Sequence, residues 1–136
     1  MLSRLLVTVG IAFYAFAVPA LEINATHVFN SDWPSHARLH EVWQLAANTS
    51  IGLFCLWLVW IKKELIIPSI LTFCITGGFL FSYVMRGSYG GSMLHSDGSE
   101  ATILGINLGV FGFGLAIILT VLALALSLRT QAIGGT

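Results

Sequence analysis

Four apolar runs dominate this chain, and each is long enough to form a helix that crosses a membrane. The runs cover about residues 3–21, 42–61, 65–85 and 102–128. A membrane-spanning helix needs about 20 consecutive apolar residues, because the hydrocarbon layer is about 30 Å thick. The runs predict an all-α fold class: a single domain, residues 1–136, that forms an integral membrane, antiparallel bundle of four transmembrane helices.

Charge is too scarce for a soluble domain of this size. Only 9% of the residues are charged and 57% are hydrophobic, whereas a typical soluble domain is about 25% charged. This composition predicts the lipid bilayer as a partner. The formal net charge is zero, so we expect no nucleic acid partner. The first run also has the features of a secretory signal peptide, with Arg4 before a short apolar stretch, but we interpret it as a transmembrane helix.

The basic residues predict the orientation of the helices, because cytoplasmic segments carry an excess of lysine and arginine. Four of them fall on the side of the termini: Arg4, Lys62, Lys63 and Arg129. The opposite side has only Arg38 and Arg86, together with two long loops at about 22–41 and 86–101 that hold all four histidines. We therefore predict a multi-pass protein with both termini in the cytoplasm and a polar extracytoplasmic cap.

The segment "HVFNSDWPSHARLHE", residues 27–41, concentrates the ionisable side chains of the cap. Pro34 interrupts any helix that precedes it, and Ser35 is a favourable N-cap residue. We therefore expect a helix that starts at His36 and continues into the second run. Such a helix would have about 26 residues and would reach beyond the hydrocarbon layer.

On that helix His36 and His40 are four residues apart and share one face, and Gln44 and Asn48 continue the row into the membrane. Polar groups at that depth need partners or a water-filled cavity. The candidate catalytic residues are His36, His40 and Glu41. The candidate substrate-binding residues come from three helices, with the last two on one face of the fourth: Gln44, Asn48, Tyr83, Glu100 and Asn107.

Three interpretations of the histidines stay open at this point. A transition metal, zinc or iron, could be held by His27, His36 and His40, with His95 as a reserve ligand. Alternatively, a histidine and a glutamate could move protons on a bound lipophilic molecule. In the third interpretation the histidines only close the helix ends through hydrogen bonds.

The string "HVFNSDWPSHARLH" resembles the segment "H-x-F/Y-N-P-x-W-P-P-H-A-x-F-H" of the DUF6640-type proteins of fungi and bacteria, a family of small, uncharacterised four-helix membrane proteins. This chain has Ser31 and Ser35 where prolines would stand, and Leu39 in place of the aromatic residue. The resemblance covers about fourteen residues and the four-span layout. It implies that the string acts as a unit, and it implies no known activity.

These features favour an integral membrane enzyme that acts on a lipophilic small molecule, such as an isoprenoid, a quinone or a sterol-like compound. The expected reaction is isomerisation, cyclisation or oxidation. The alternative is a small, non-catalytic helper subunit or lipophile-binding protein of a larger membrane complex. A glycine strip in the fourth run provides a surface for close helix packing within the chain or in a homo-oligomer: Gly105, Gly109, Gly112 and Gly114.

Overall fold

Four long helices make up most of the structure, as the apolar runs predict. The computed structural model describes the backbone of residues 1–134 and the side chains of residues 1–129. The helices that are long and apolar enough to cross a membrane are Leu2–Glu22, Ser35–Lys62, Ile66–Ser88 and Leu108–Arg129, and the last continues to Gly134. The mainly helical fold class is confirmed. The predicted domain also includes residues 135 and 136, which lie outside the described residues.

The first helix contains a π-helical turn, Phe13–Ala17, between the α-helical segments Leu2–Ala12 and Val18–Glu22. Pro19 has no N–H group to donate to the carbonyl group four residues earlier. That carbonyl, of Ala15, accepts a hydrogen bond of 2.9 Å from the Thr49 hydroxyl of the second helix. The irregular turn therefore supplies a polar link between the first two helices.

The second helix is α-helical over Ser35–Trp57 and ends in a π-helical turn, Leu58–Lys62. It starts one residue earlier than predicted. Pro34 occupies the N-cap position, and its carbonyl accepts the N–H groups of residues 37 and 38. Ser35 is therefore a first-turn residue. Its prediction as the N-cap was wrong, because Pro34, with φ −53° and ψ 142°, already has the non-helical backbone conformation of an N-cap residue.

The third helix comprises Ile66–Met85 and a 3₁₀ turn, Arg86–Ser88. The fourth begins at Leu108, so the prediction that it begins near residue 102 was wrong. The apolar residues at that end instead form an antiparallel hairpin, with strands Thr102–Ile103 and Ile106–Asn107.

The hairpin has a local cause in its two-residue turn. Leu104 and Gly105 have φ angles of 52° and 77°, and positive φ at both central residues is the geometry of the tight turns that join antiparallel strands. Asn107 then caps the fourth helix, because its Oδ1 accepts the N–H groups of Gly109 and Val110 at 2.9 and 3.3 Å. Glu100 and Asn107 therefore do not share a helical face, and Gly105 does not belong to a helical glycine strip.

The first helix packs against the second and fourth helices at two glycines. A Cβ atom on Gly52 would overlap the Cβ of Ala15, and one on Gly10 would lie 3.0 Å from Oγ1 of Thr120. The buried hydrophobic cluster draws on the first, second and fourth helices: Val7, Ile11, Tyr14, Ala15, Cys55, Val59, Phe113 and Ala123.

Two glycines of the fourth helix, Gly109 and Gly112, face other helices of the same chain. A Cβ on Gly109 would lie 2.7 Å from the Phe79 ring, and one on Gly112 would lie 3.4 Å from the Phe13 ring. Packing within the chain therefore accounts for both positions. Gly114 has nothing within 4 Å of its Cβ position.

Candidate functional site

Two polar segments meet at one end of the helices and form a cap, defined here as residues 23–34 and 89–107. The side chain of Asn30 links them, because its Nδ2 donates to Oγ of Ser96 at 2.9 Å. Asn30 is only 4% exposed. The rings of His27 and His95 also meet across the two segments, with 5.1 Å between their centroids.

The four histidines form two pairs. His36 and His40 lie on one face of the second helix, as their spacing predicts, with 3.0 Å between their Nε2 atoms. Both side chains are exposed. His27 and His95 form the second pair, which lies inside the cap.

The structure does not bring the three predicted metal ligands together. Within the part of the chain whose side chains are described, no group of three or more His, Cys, Asp or Glu side chains could hold a metal ion. His27 contacts Glu22, Trp33 and His95, whereas His36 and His40 contact each other. A zinc or iron centre at these histidines stays a prediction.

Glu22 and His27 form a close pair where the first helix ends. Oε2 of Glu22 lies 2.7 Å from Nε2 of His27. Asn24 builds the turn between them, because its Oδ1 accepts the backbone N–H groups of Thr26 and His27 at 2.7 and 3.2 Å. Asparagine commonly stabilises a turn in this way. The turn thus brings the His27 imidazole back to Glu22, the last residue of the first helix.

The hydrogen bonds around His27 favour one arrangement of its protons. The Thr26 hydroxyl donates to Oδ1 of Asn24 at 2.7 Å, which uses its only hydrogen. The 2.9 Å contact between Thr26 Oγ1 and His27 Nδ1 therefore assigns a proton to Nδ1, which donates to the hydroxyl. Nε2 then faces the Glu22 carboxyl group, and the short contact requires one proton between the two atoms.

The Glu22–His27 pair is partly buried, and this affects the protonation of His27. The side chain of His27 is 20% exposed and that of Glu22 is 26% exposed. Burial, together with the neighbouring His95, lowers the pKa of His27, because a buried site and a nearby histidine both disfavour the positively charged imidazolium form. The lowered pKa therefore favours the neutral imidazole as the partner of the Glu22 carboxyl group.

The candidate catalytic residue Glu41 belongs to the same region. It is half-buried and interacts electrostatically with Glu22. Glu41 lies near the start of the second helix, Ser35–Lys62. The site therefore combines residues from the end of the first helix, the cap and the start of the second helix.

The candidate substrate-binding residues are divided between two places. Tyr83 and Glu100 line a cleft of about 280 Å³, and Nδ2 of Asn107 donates to Oε1 of Glu100 at 3.0 Å. Gln44 is exposed and Asn48 is half-buried on the second helix, and neither lines that cleft. The substrate-binding role of these five residues stays a prediction.

Sequence reasoning missed Glu22 as a partner of His27. The two residues are five apart across a turn, so no helical or strand period connects them. The available signal was the Asn24–Thr26 pair directly after the apolar run, since short polar side chains there favour a turn that reverses the chain.

Comparisons with protein families, characterised proteins and solved structures find no match for this chain. The resemblance of residues 27–40 to the DUF6640-type segment therefore stays a prediction. The function has to be inferred from the geometry of the site.

Proposed function

We propose that this protein is an integral membrane enzyme that transfers protons within a lipophilic small molecule, with Glu22 and His27 as its acid–base pair. The observation that carries this proposal is the 2.7 Å contact between Oε2 of Glu22 and Nε2 of His27. The pair holds one transferable proton at a partly buried position. General acid–base catalysis needs such a group with its proton within hydrogen-bond reach.

The surface of the long helices supports insertion into a membrane. Large apolar side chains are exposed along all four helices, including Phe16, Phe54, Phe81 and Ile118. A lipid environment would cover them, whereas large exposed apolar surfaces are rare on soluble monomers. In this proposal the four helices form an antiparallel transmembrane bundle, the termini face the cytoplasm, and the cap lies at the extracytoplasmic surface.

The location of the pair favours a substrate that enters from the lipid. Glu22 is the last residue of the first apolar helix, so its carboxyl group lies at the junction of the apolar helix and the polar cap. An isoprenoid, quinone or sterol-like molecule could keep its apolar body in the bilayer and place one polar or unsaturated end at this junction.

The proposed reaction is a shift of a double bond. The Glu22–His27 pair donates its shared proton to one end of the substrate double bond, which leaves a glutamate carboxylate beside a neutral imidazole. The pair then removes a proton from a carbon two positions away, and the double bond forms at the new position. Protons and electrons balance without a further reactant, so the product is an isomer of the substrate.

His95 and Glu41 have supporting roles in this proposal. The His95 ring lies 5.1 Å from the His27 ring and disfavours a charged imidazole, which keeps the shared proton on Glu22. Glu41 interacts electrostatically with Glu22, so it couples the start of the second helix to the pair. His36 and His40, which were predicted to be catalytic together with Glu41, would form a separate site.

Deuterium incorporation tests this function across a whole class of candidate substrates. The purified protein is reconstituted in lipid nanodiscs and incubated in deuterated buffer with a panel of isoprenoid, quinone and sterol-like compounds. Mass spectrometry then follows the formation of an isomer that carries one carbon-bound deuterium. We expect Glu22→Gln and His27→Gln to lower the rate by about a hundredfold or more, since general acid–base catalysis contributes about 10²–10⁴-fold.

Two further variants make the result decisive. Glu64→Gln makes the same substitution in the turn that joins the second and third helices, and it should retain the wild-type rate. If His36→Gln abolishes the exchange and His27→Gln does not, the acid–base site lies on the second helix and the Glu22–His27 pair is not catalytic. Absence of exchange by the purified chain, with stable co-purification of a larger partner, would favour the helper-subunit alternative.

A further inference from the structure

A cleft at the end of the third helix has a composition that suits a charged ligand. Its volume is about 280 Å³, and its lining residues are Tyr83, Arg86, Gly91, Ser92, Met93, Leu94 and Glu100. From this combination we infer that the cleft binds the headgroup of a zwitterionic phospholipid of the phosphatidylethanolamine class, with the phosphate at Arg86 and the ammonium group at Glu100. This site is separate from the Glu22–His27 pair and does not depend on the proposed catalytic function.

The cleft is built by hydrogen bonds that return the chain to the third helix. The N–H group of Gly91 donates to the carbonyl oxygen of Arg86 at 2.7 Å. The Tyr89 hydroxyl donates to the carbonyl oxygen of Ser82 at 2.8 Å. These bonds hold residues 89–91 against the last turn of the helix, so the wall of the cleft has a defined backbone position.

Arg86 presents a fixed positive charge to the cleft. Its Cζ lies 4.1 Å from the centroid of the Tyr83 ring, and its Nη1 donates to the carbonyl oxygen of Tyr83 at 2.7 Å. A guanidinium group has five N–H donors. Among the described residues, no carboxylate lies within 4.0 Å of this arginine. Donors therefore remain for a phosphate, which arginine binds through two parallel hydrogen bonds.

Glu100 places a negative charge on the lining of the same cleft. Its Oε1 accepts a hydrogen bond of 3.0 Å from Nδ2 of Asn107, and Asn107 is itself fixed at the start of the fourth helix. The carboxylate opposes the binding of a headgroup with a net negative charge. It favours a headgroup that carries a cation beyond its phosphate, and a primary ammonium group supplies three N–H donors for this oxygen acceptor.

The size and position of the cleft agree with a headgroup rather than a whole lipophilic molecule. Its volume lies just below the range of about 300–1,000 Å³ that is typical of sites for drug-sized ligands. Phe81 and Val84, which precede and follow Tyr83 on the third helix, are exposed. The acyl chains of a bound lipid could therefore lie along this helix while the headgroup occupies the cleft.

Native mass spectrometry of the full chain in detergent tests this inference. The probes are phosphatidylethanolamine and phosphatidylglycerol with identical acyl chains, added separately and in competition. We expect the wild type to retain phosphatidylethanolamine preferentially. Arg86→Gln should weaken retention of that lipid about tenfold, since a hydrogen bond to a charged group is lost, and Arg86→Lys should restore part of it. Glu100→Gln should abolish the preference for phosphatidylethanolamine over phosphatidylglycerol.

Arg38→Gln is the matched control, because Arg38 is the other arginine near the cap end of a long helix. Equal losses in Arg38→Gln and Arg86→Gln would overturn the inference, since they would indicate attraction of lipid to any interfacial arginine. Unchanged retention in Arg86→Gln, or an unchanged preference in Glu100→Gln, would also overturn it. Glu22→Gln and His27→Gln should keep the preference, so failure of either proposal can be recognised separately.

Discussion

Gly52→Ala is expected to destabilise the protein, although alanine is the better helix former. In an exposed helix the exchange of glycine for alanine is favourable by about 1 kcal/mol. At Gly52 the added Cβ would overlap the Cβ of Ala15 and would lie 3.3 Å from Cε2 of Tyr14. Overpacking of this kind costs about 1–3 kcal/mol. We therefore expect a net loss of up to about 2 kcal/mol in the free energy of unfolding.

The control is Gly78→Ala in the third helix, where no atom lies within 4 Å of the added Cβ. That variant should be as stable as the wild type or more stable. Reversible unfolding by denaturant in detergent micelles gives the free energies of both variants. The double variant Gly52→Ala/Ala15→Gly removes the overlap, so a double-mutant cycle should show a favourable coupling energy of about 1 kcal/mol or more.

A Gly52→Ala variant as stable as Gly78→Ala would refute this expectation. That result would mean that the first two helices separate without cost, and that their close approach does not hold Ala15 in place. The consequence would extend to the site, because the segment that follows Ala15 in the first helix ends at Glu22.

Three further predictions concern the cap and the helix contacts. The lowered pKa of His27 makes its charged form unfavourable in the folded protein. The free energy of unfolding should therefore be highest above pH about 6.5 and should fall as the pH drops below that value. Urea unfolding across this range should show a smaller fall for His27→Gln than for the wild type. Thr49→Val removes the hydroxyl donor to the Ala15 carbonyl and should cost about 0.6 kcal/mol by the same unfolding assay, whereas Ser50→Ala, which loses only a bond within its own helix, should cost less. Asn107→Ala removes the cap of the fourth helix and should lower the free energy of unfolding by about 0.5–2 kcal/mol. Hydrogen exchange of the backbone amides should then increase at residues 108–111. Protection equal to that of the wild type would contradict the capping role.

Much of the fold follows from local properties that the sequence displays directly. A helix satisfies its own backbone hydrogen bonds, so about 20 apolar residues are enough to predict each long helix. The shared face of His36 and His40 follows from the helical repeat alone, and the structure confirms it at 3.0 Å. The predicted start of the second helix was wrong by one residue. Pro34 was expected to precede the N-cap residue, but it occupies the N-cap position itself.

The fourth run shows the limit of hydropathy. Residues 102–107 are mostly apolar, yet they form a hairpin because Leu104 adopts a positive φ angle. Leucine rarely does so, and hydropathy does not report backbone angles. The prediction that Glu100 and Asn107 share one helical face was wrong for this reason. A hydrogen bond nevertheless joins their side chains.

The number of long helices follows from the apolar runs alone, and the contact between His36 and His40 follows from their helical spacing. The other contacts between polar residues depend on how the chain folds in three dimensions. Glu22 reaches His27 through a turn, His27 reaches His95 through contact between two loops, and Arg86 and Glu100 come to one cleft from different segments. The physical reason is that a helix is specified by hydrogen bonds between neighbours in the chain. A site depends instead on turn geometry and on packing between segments that are distant in sequence, and no periodic pattern records either of these.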